Sequence, residues 1–353
     1  HLFVGSKQSW KMWNVIRSGS SRCLFRQLER NYTSKRTDFA VKRGFRSSRK
    51  EPEVADKKRP SLSPVDQIQD RDVRGFGELL KPFAFTVGVS GLSFAGCSIW
   101  QYESIRQVVK DSKERGHGAY SSFYEKAGQW RNSVNVWWNS LTPGHKVACA
   151  IIGVNSCVFM LWKVPSLTYK MFTYFACSPF SSAPSLSMLG SMFSHYSLFH
   201  FGANMYVLWS FAPVITSMLG KEQFVAVYIT GGLVSAFVSH ANKVARYSRV
   251  PSLGASGAIM AIVGMVCSQH PESRLSIAFV DQIVPHSFSA GSAMKCLIAF
   301  DTLGVLLGWR FFDHAAHLGG ILFGLWYINY GHQYIWSSRE KLVKLWHKYR
   351  GPP

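Results

Sequence analysis

The sequence is poor in acidic residues: 19 Asp and Glu stand against 40 Lys and Arg, and the formal net charge is +21. Its seven cysteines include no Cys-x-x-Cys pair, so neither a zinc site nor a disulfide framework is indicated. It also lacks the His-Glu-x-x-His motif on which zinc metalloproteases rely. We therefore predict a protein that holds no metal ion and needs no cofactor.

Positive charge is concentrated at the N-terminus, where residues 1–50 contain 13 Lys and Arg and only two acids, Glu29 and Asp38. This stretch has no interleaved aromatic platform and no recognisable nucleic-acid module, so no nucleic-acid partner is predicted. An Arg-rich, Ser-rich and acid-poor beginning is typical of a mitochondrial transit peptide. A basic tail lying on anionic lipid is the alternative. We interpret residues 1–50 as a transit-like leader and residues 51–80 as a polar linker.

Long apolar segments lie beyond residue 80, and seven of them are predicted to span a membrane. They are residues 82–100, 147–162, 198–219, 222–240, 254–268, 292–309 and 314–330. Residues 102–145 are predicted to form an amphipathic connecting segment, residues 164–197 a partly inserted loop, and residues 333–353 a basic interfacial tail. The predicted fold class is an all-α, polytopic membrane helix bundle.

Unusual polar residues lie at one end of three of these segments. Consecutive spans cross in opposite directions, so the helices that begin near residues 198, 254 and 314 open on the same side. Their first two turns contain His200, Asn204, Ser256, His314 and His317. We therefore expect these side chains to lie close together, at one level in the membrane.

Their chemistry favours a nucleophilic site. A serine hydroxyl becomes a useful nucleophile when a neighbouring base takes its proton, and histidine is the usual base. His314 and His317 both remain open as the base of Ser256. His317 is favoured because Gly320 and Gly324 follow it on one helical stripe and allow close packing, while Gly257 and Ala261 give the serine helix a matching stripe of small residues. His200, Asn204 and the backbone N–H of Ser256 can supply donors for an oxyanion.

Three motifs together resemble those of the rhomboid intramembrane serine proteases. They are Gly-x-Ser-Gly at residues 254–257, His-x-x-x-Asn at residues 200–204, and Ala-His-x-x-Gly-x-x-x-Gly at residues 316–324. The resemblance covers roughly residues 80–350 and implies a six-helix core at 146–332, preceded by one additional transmembrane helix at 81–101. The Trp-Arg pair that bacterial members carry in their first loop is not evident in residues 164–197.

The resemblance also implies roles for individual residues. In that family the nucleophile and the base form a dyad without a carboxylate, so Ser256 corresponds to the nucleophile and His317 to the base. His200, Asn204 and Gly254 correspond to the oxyanion side, and His195 to a further supporting histidine. Asp301 lies inside a predicted span and has no role in this scheme. Whether it is neutral, paired or part of a polar path remains open.

The implied function is cleavage of single-span membrane proteins in the mitochondrial inner membrane, serving protein processing and quality control. Membrane lipid and an assembly with scaffold proteins or other proteases are the further partners considered. Two alternatives stay open. One is a non-catalytic rhomboid-like membrane chaperone or a transporter, and the other is a metal or haem site built on His314 and His317 with His195 or His200.

Overall fold

The computed structural model describes residues 75–115, 129–276 and 287–351. The predicted leader and all but the end of the predicted linker lie outside the described residues. The helices are α1 (Leu80–Arg115), α2 (Gln129–Ser140), α3 (Pro143–Leu161), α4 (Thr168–Phe175), α5 (Pro184–Ser191), α6 (Leu198–Leu219), α7 (Lys221–Ala245), α8 (Ser256–Gln269), α9 (Ala290–Leu307), α10 (His314–Trp326) and α11 (Glu340–Arg350).

Shorter elements connect these helices. A 3-10 turn, Phe76–Leu79, precedes α1. Strands β1 (Arg274–Leu275) and β2 (Phe288–Ser289) pair antiparallel between α8 and α9. A π-helical segment, Tyr327–Trp336, and a 3-10 turn, Ser337–Arg339, join α10 to α11.

Among the described residues, five helices are long and apolar enough to cross a membrane, namely α1, α3, α6, α7 and α9. The other two predicted spans are also helical but shorter, with 14 residues in α8 and 13 in α10. The π-helical segment continues α10 without a break. The predicted all-α, polytopic membrane bundle is therefore confirmed.

Helix α1 continues to Arg115, although the predicted additional span ended at residue 101. The polar extension packs against the C-terminal helix α11. Tyr102 Oη lies 2.5 Å from His347 Nδ1, and Trp346 Nε1 donates to Glu103 Oε1 at 2.8 Å. Because these contacts give the polar turns of α1 partners outside the apolar segment, the helix does not end where its hydrophobic residues do.

Residues 164–197, predicted to contain no span, form the short helices α4 and α5 with an irregular segment between them. Phe180 and Met188 are fully buried in this region. The chain there contributes to the packed interior of the protein.

Helix α8 is short because the chain reaches it through an extended segment that already lies inside the bundle. Cys177 and Ser252 exchange two backbone hydrogen bonds of 2.7 and 3.0 Å, and Gly254 N–H donates to the Ser191 carbonyl at 2.9 Å. The φ angle of Gly254 is +143°, a conformation that favours glycine. The helix can therefore begin at Ser256, in the interior.

The α8–α10 contact is a close backbone approach through small residues. A Cβ atom on Gly320 would overlap the carbonyl oxygen of Gly257, and one on Gly324 would overlap that of Ala261. Larger residues at either glycine would force the helices apart. This contact brings the first turn of α10 beside the first turn of α8.

We expect Gly320→Ala to destabilise the protein by about 1–3 kcal/mol, because the added methyl group has no space beside α8. The matched control is Gly153→Ala on α3, where a Cβ would meet nothing within 4 Å. Since alanine favours helices more than glycine does, the control should be at least as stable as the wild type. Thermal melting in detergent measures both variants. Equal melting temperatures would show that the glycine contact is not what sets the helix spacing.

Candidate active site

Ser256 and His317 meet where α8 and α10 begin. His317 Nε2 lies 2.9 Å from Ser256 Oγ, which is hydrogen-bond distance. The first turn of α10 is also tied to α7, because Ser235 Oγ donates to the Ala316 carbonyl at 2.7 Å. A serine and a histidine in this relation have the geometry of a nucleophile and its general base.

Asp301 of α9 lies behind the histidines, where it is almost completely buried. Its Oδ1 atom is 2.7 Å from His314 Nδ1 and 3.4 Å from His317 Nδ1. The first distance is a hydrogen bond, whereas the second is longer than one. Of the two histidines that the sequence left open, the structure therefore places His317 beside Ser256 and His314 beside Asp301.

The fit of His314 against α9 depends on a further glycine. A Cβ atom on Gly304 would overlap the His314 ring, so the ring lies directly against the backbone of α9. His314 Nε2 and Asp301 Oδ2 have no hydrogen-bond partner among the described residues. The Asp301–His314 pair is thus held by one short contact and by packing. Sequence reasoning noted Asp301 but could not assign it a partner, because the two residues lie on different helices.

His200 and Gly254 lie on the other side of Ser256. A Cβ atom on Gly254 would be 2.8 Å from His200 Cε1 and 3.6 Å from Ser256 Oγ, so glycine leaves room for the imidazole next to the hydroxyl. Asn204 lies one turn further along α6 and is buried, but its Nδ2 donates to the His200 carbonyl at 2.8 Å. Of the two predicted donors of α6, His200 therefore lies next to Ser256, whereas the amide of Asn204 is engaged in its own helix.

His195 lies in the segment before α6 and is fully buried. Its Nε2 atom is 3.5 Å from Ala255 N, a long hydrogen bond, and its ring meets the His200 ring with 5.2 Å between centroids. Burial and the neighbouring His200 lower the pKa of His195 to about 3. His195 is therefore neutral near pH 7 and supports the chain that leads into Ser256.

Beside Ser256 there is a small cavity of about 30 Å³. Its polar lining includes Ser191, Ser235, Ser252, Ser256 and Asp313. A cavity of this size holds about one water molecule, and several hydroxyl and carboxylate groups could bind it. Polar space thus exists next to the serine although the surrounding helices are apolar.

The partly buried Asp313 and the buried Lys243 form an ion pair that links α10 to α7. Lys243 Nζ lies 3.5 Å from Asp313 Oδ2, and Ser239 Oγ donates to the same oxygen at 2.5 Å. The other oxygen of Asp313 accepts from Ala316 N–H at 3.1 Å and so caps α10. The sequence analysis did not identify Lys243. The signal that could have found it is a lysine near the end of a predicted apolar span.

Asp313 remains charged at low pH. Burial opposes its ionisation, but Lys243, the two serine hydroxyls of Ser239 and Ser252, and the Ala316 N–H together lower its pKa from 3.8 to about 2. Because the folded-state pKa is the lower one, this stabilisation is present above about pH 4 and is lost as the pH falls through 2.

In residues 75–115, 129–276 and 287–351, no group of three or more His, Cys, Asp and Glu side chains is arranged to hold a metal ion.

The fold and the site together define a polytopic helical membrane protein with a serine and a histidine paired inside the bundle. The Rhomboid domain family model matches residues 185–334, which include both residues. The mitochondrial presenilin-associated rhomboid-like protein of Rattus norvegicus is 52% identical over 274 residues, covering 77% of this chain and 72% of that protein.

Two further relatives extend the comparison. The mitochondrial presenilin-associated rhomboid-like protein A of Danio rerio is 41% identical over 349 residues, covering 93% of this chain and 88% of that protein. Rhomboid protein 1, mitochondrial, of Saccharomyces cerevisiae is 34% identical over 185 residues, covering 51% and 52%. The chain belongs to the rhomboid family. Because these relatives are mitochondrial, the predicted mitochondrial, multi-pass membrane location is confirmed.

We expect Asp313→Asn to destabilise the protein by about 2 kcal/mol or more at neutral pH, because it leaves Lys243 buried without its counter-charge. Asparagine still caps the helix, so the charge is the main change. The control is the double variant Asp313→Asn with Lys243→Met, which removes both charges and should recover part of the loss. Thermal melting of the wild type, the two single variants Asp313→Asn and Lys243→Met, and the double variant gives the coupling free energy between the two residues. If the two changes are additive, the ion pair does not stabilise α10.

Proposed function

We propose that the protein is an intramembrane serine endopeptidase that works through Ser256 and His317. The observation that carries this proposal is the 2.9 Å separation of His317 Nε2 and Ser256 Oγ inside a membrane bundle of the rhomboid family. In the reaction, Ser256 Oγ attacks the scissile carbonyl while His317 Nε2 takes the hydroxyl proton. His317 then gives that proton to the leaving amine, and an acyl-enzyme remains on Ser256.

The developing oxyanion needs donors, each of which contributes about 3 kcal/mol to lowering the barrier. Ser256 N–H lies in the first turn of α8, where backbone N–H groups have no partner within the helix. The imidazole of His200, next to Gly254, is the nearest side-chain donor on the opposite side. Asn204 takes part once its amide leaves the His200 carbonyl. Gly254 serves by leaving room for His200.

Asp301 is proposed as a positioning residue for the base. A carboxylate next to His317 Nδ1 favours the tautomer with the proton on Nδ1, which leaves Nε2 free to accept the serine proton. At 3.4 Å this interaction is weak in the described state, because the same oxygen is bonded to His314. His314 thus holds Asp301 in place, and Asp301 in turn orients His317.

Hydrolysis of the acyl-enzyme needs a water molecule inside an apolar bundle. The 30 Å³ cavity beside Ser256 is large enough for one, and Ser235, Ser252 and Asp313 provide its partners. We propose that this cavity supplies the water, which His317 then activates as general base.

The proposed substrates are single-span proteins of the mitochondrial inner membrane, and cleavage serves their processing and quality control. A peptide bond within a helix must be unwound before it reaches Ser256, so helices weakened by small or helix-breaking residues are the expected targets. By analogy with the family, the access route lies beside α9. An assembly with scaffold proteins or other inner-membrane proteases is part of the same proposal.

We expect Ser256→Ala and His317→Ala to lower the cleavage rate of a labelled single-span substrate by at least about 1,000-fold, because each removes a reacting group. The comparison variant is His314→Asn, which keeps a donor for Asp301 and, because His314 acts on the base only through Asp301, should lose far less activity than either dyad variant. Purified protein in lipid, with a chelator present throughout, provides the measurement. If Ser256→Ala still cleaves, the site is wrong; if no protein cleaves any substrate, a non-catalytic membrane chaperone or transporter becomes the better proposal.

Asp301→Asn should lower kcat by between about 10-fold and 100-fold and leave KM nearly unchanged, because His317 is misoriented while substrate binding is not. Asp301→Glu, which keeps the charge, should recover part of the rate. Activity is compared between variants of equal melting temperature across a pH series. A wild-type rate in Asp301→Asn would remove Asp301 from the mechanism.

A further inference from the structure

A large apolar cleft lies between α1, α3, α6 and α7. Its volume is about 860 Å³, and its walls include Trp100, Ala150, Val154, Phe193 and Val225. No residue of the proposed dyad lines it. The cleft is therefore separate from the site that the proposed function uses.

The polar rim of the cleft lies at the opposite end of the bundle from Ser256, whereas its apolar wall reaches back to Phe193, two residues before His195. Helix α6 begins near the site with His200 and ends at Leu219, after 22 residues. At 1.5 Å per residue this is about 33 Å, the thickness of a bilayer's hydrocarbon core. Thr216 in the last turn of α6, and Gly220 and Lys221 directly after it, all line the cleft. Its polar rim thus lies at the membrane face away from the dyad.

The rim carries two lysines and an unsatisfied hydroxyl. Lys146, at the start of α3, has no carboxylate within ion-pair distance among the described residues, and its Nζ lies 5.8 Å from the Trp138 ring. Lys221, at the start of α7, lies 5.6 Å from the Trp100 ring and 3.6 Å from Glu222 Oε1. The Thr216 hydroxyl is buried and has no hydrogen-bond partner within the described structure.

We propose that this cleft binds a phospholipid with an anionic headgroup. An acyl chain would lie along the apolar wall, and the phosphate would lie between Lys146 and Lys221, with the Thr216 hydroxyl as a donor. Since Glu222 offsets one of the two lysines, the rim has one net positive charge, which matches a single phosphodiester. A choline headgroup would place its own positive charge near the same lysines, so an anionic lipid is favoured.

The test is native mass spectrometry of the purified full-length protein in detergent, titrated with phosphatidylglycerol or phosphatidylcholine. The wild type should bind phosphatidylglycerol several-fold more tightly. Lys146→Gln should weaken this binding about fivefold, because a lysine near an anionic lipid contributes about that much, and adding Lys221→Gln should weaken it further. Lys163→Gln, at the other end of α3, removes the same charge outside the cleft and should have no effect.

A second pair of variants tests the apolar part of the site. Ala150→Trp fills the cleft and should weaken the binding of phosphatidylglycerol, whereas Cys157→Trp, on α3 but outside the cleft, should not. The proposal is overturned if the two lipids bind equally, if Lys163→Gln weakens binding as much as Lys146→Gln, or if Ala150→Trp binds like the wild type. None of these measurements depends on proteolysis.

Discussion

The backbone contact between α8 and α10 is the constraint on which the proposed active site depends. Gly320 lies against the Gly257 carbonyl and Gly324 against the Ala261 carbonyl, so two successive turns fix the register of the helices. Sliding α10 by one turn would move His317 by about 5.4 Å, well beyond hydrogen-bond distance of any serine on α8. Small residues thus do more here than allow packing, because they determine which histidine meets the serine.

Two carboxylates, the buried Asp301 and the partly buried Asp313, hold the first turn of α10 from different sides. Asp313 connects it to Lys243 on α7, and Asp301 connects His314 to α9. Each would be costly in an apolar interior without its partner, so each contact is strongly favoured once the helices have assembled. The position of His317 therefore rests on charge pairing as well as on glycine packing.

Most of the fold could be predicted from the sequence because apolar length and helix direction are local properties. The reversal of consecutive spans predicted that the helices of Ser256 and His317 begin on the same side of the membrane. The glycines after His317 favoured it over His314 as the base. The Asp301–His314 contact could not be predicted, since no periodicity relates residues on two helices. The full length of α1 could not be predicted either, because it depends on packing against α11. The hydrogen bond from Asn204 to the His200 carbonyl was likewise not predictable.

Helix α9 is the least enclosed of the helices around the site. Leu303, Leu306 and Leu307 face outward on it, while Asp301 faces inward and contacts the histidines. Any outward displacement of α9 would withdraw Asp301 from His314 and His317 together. The position of this helix and the state of the base are consequently linked, and linkage is reciprocal. An interaction that strengthens the contacts of His314 and His317 with Asp301 also disfavours the outward displacement of α9, by the same free energy.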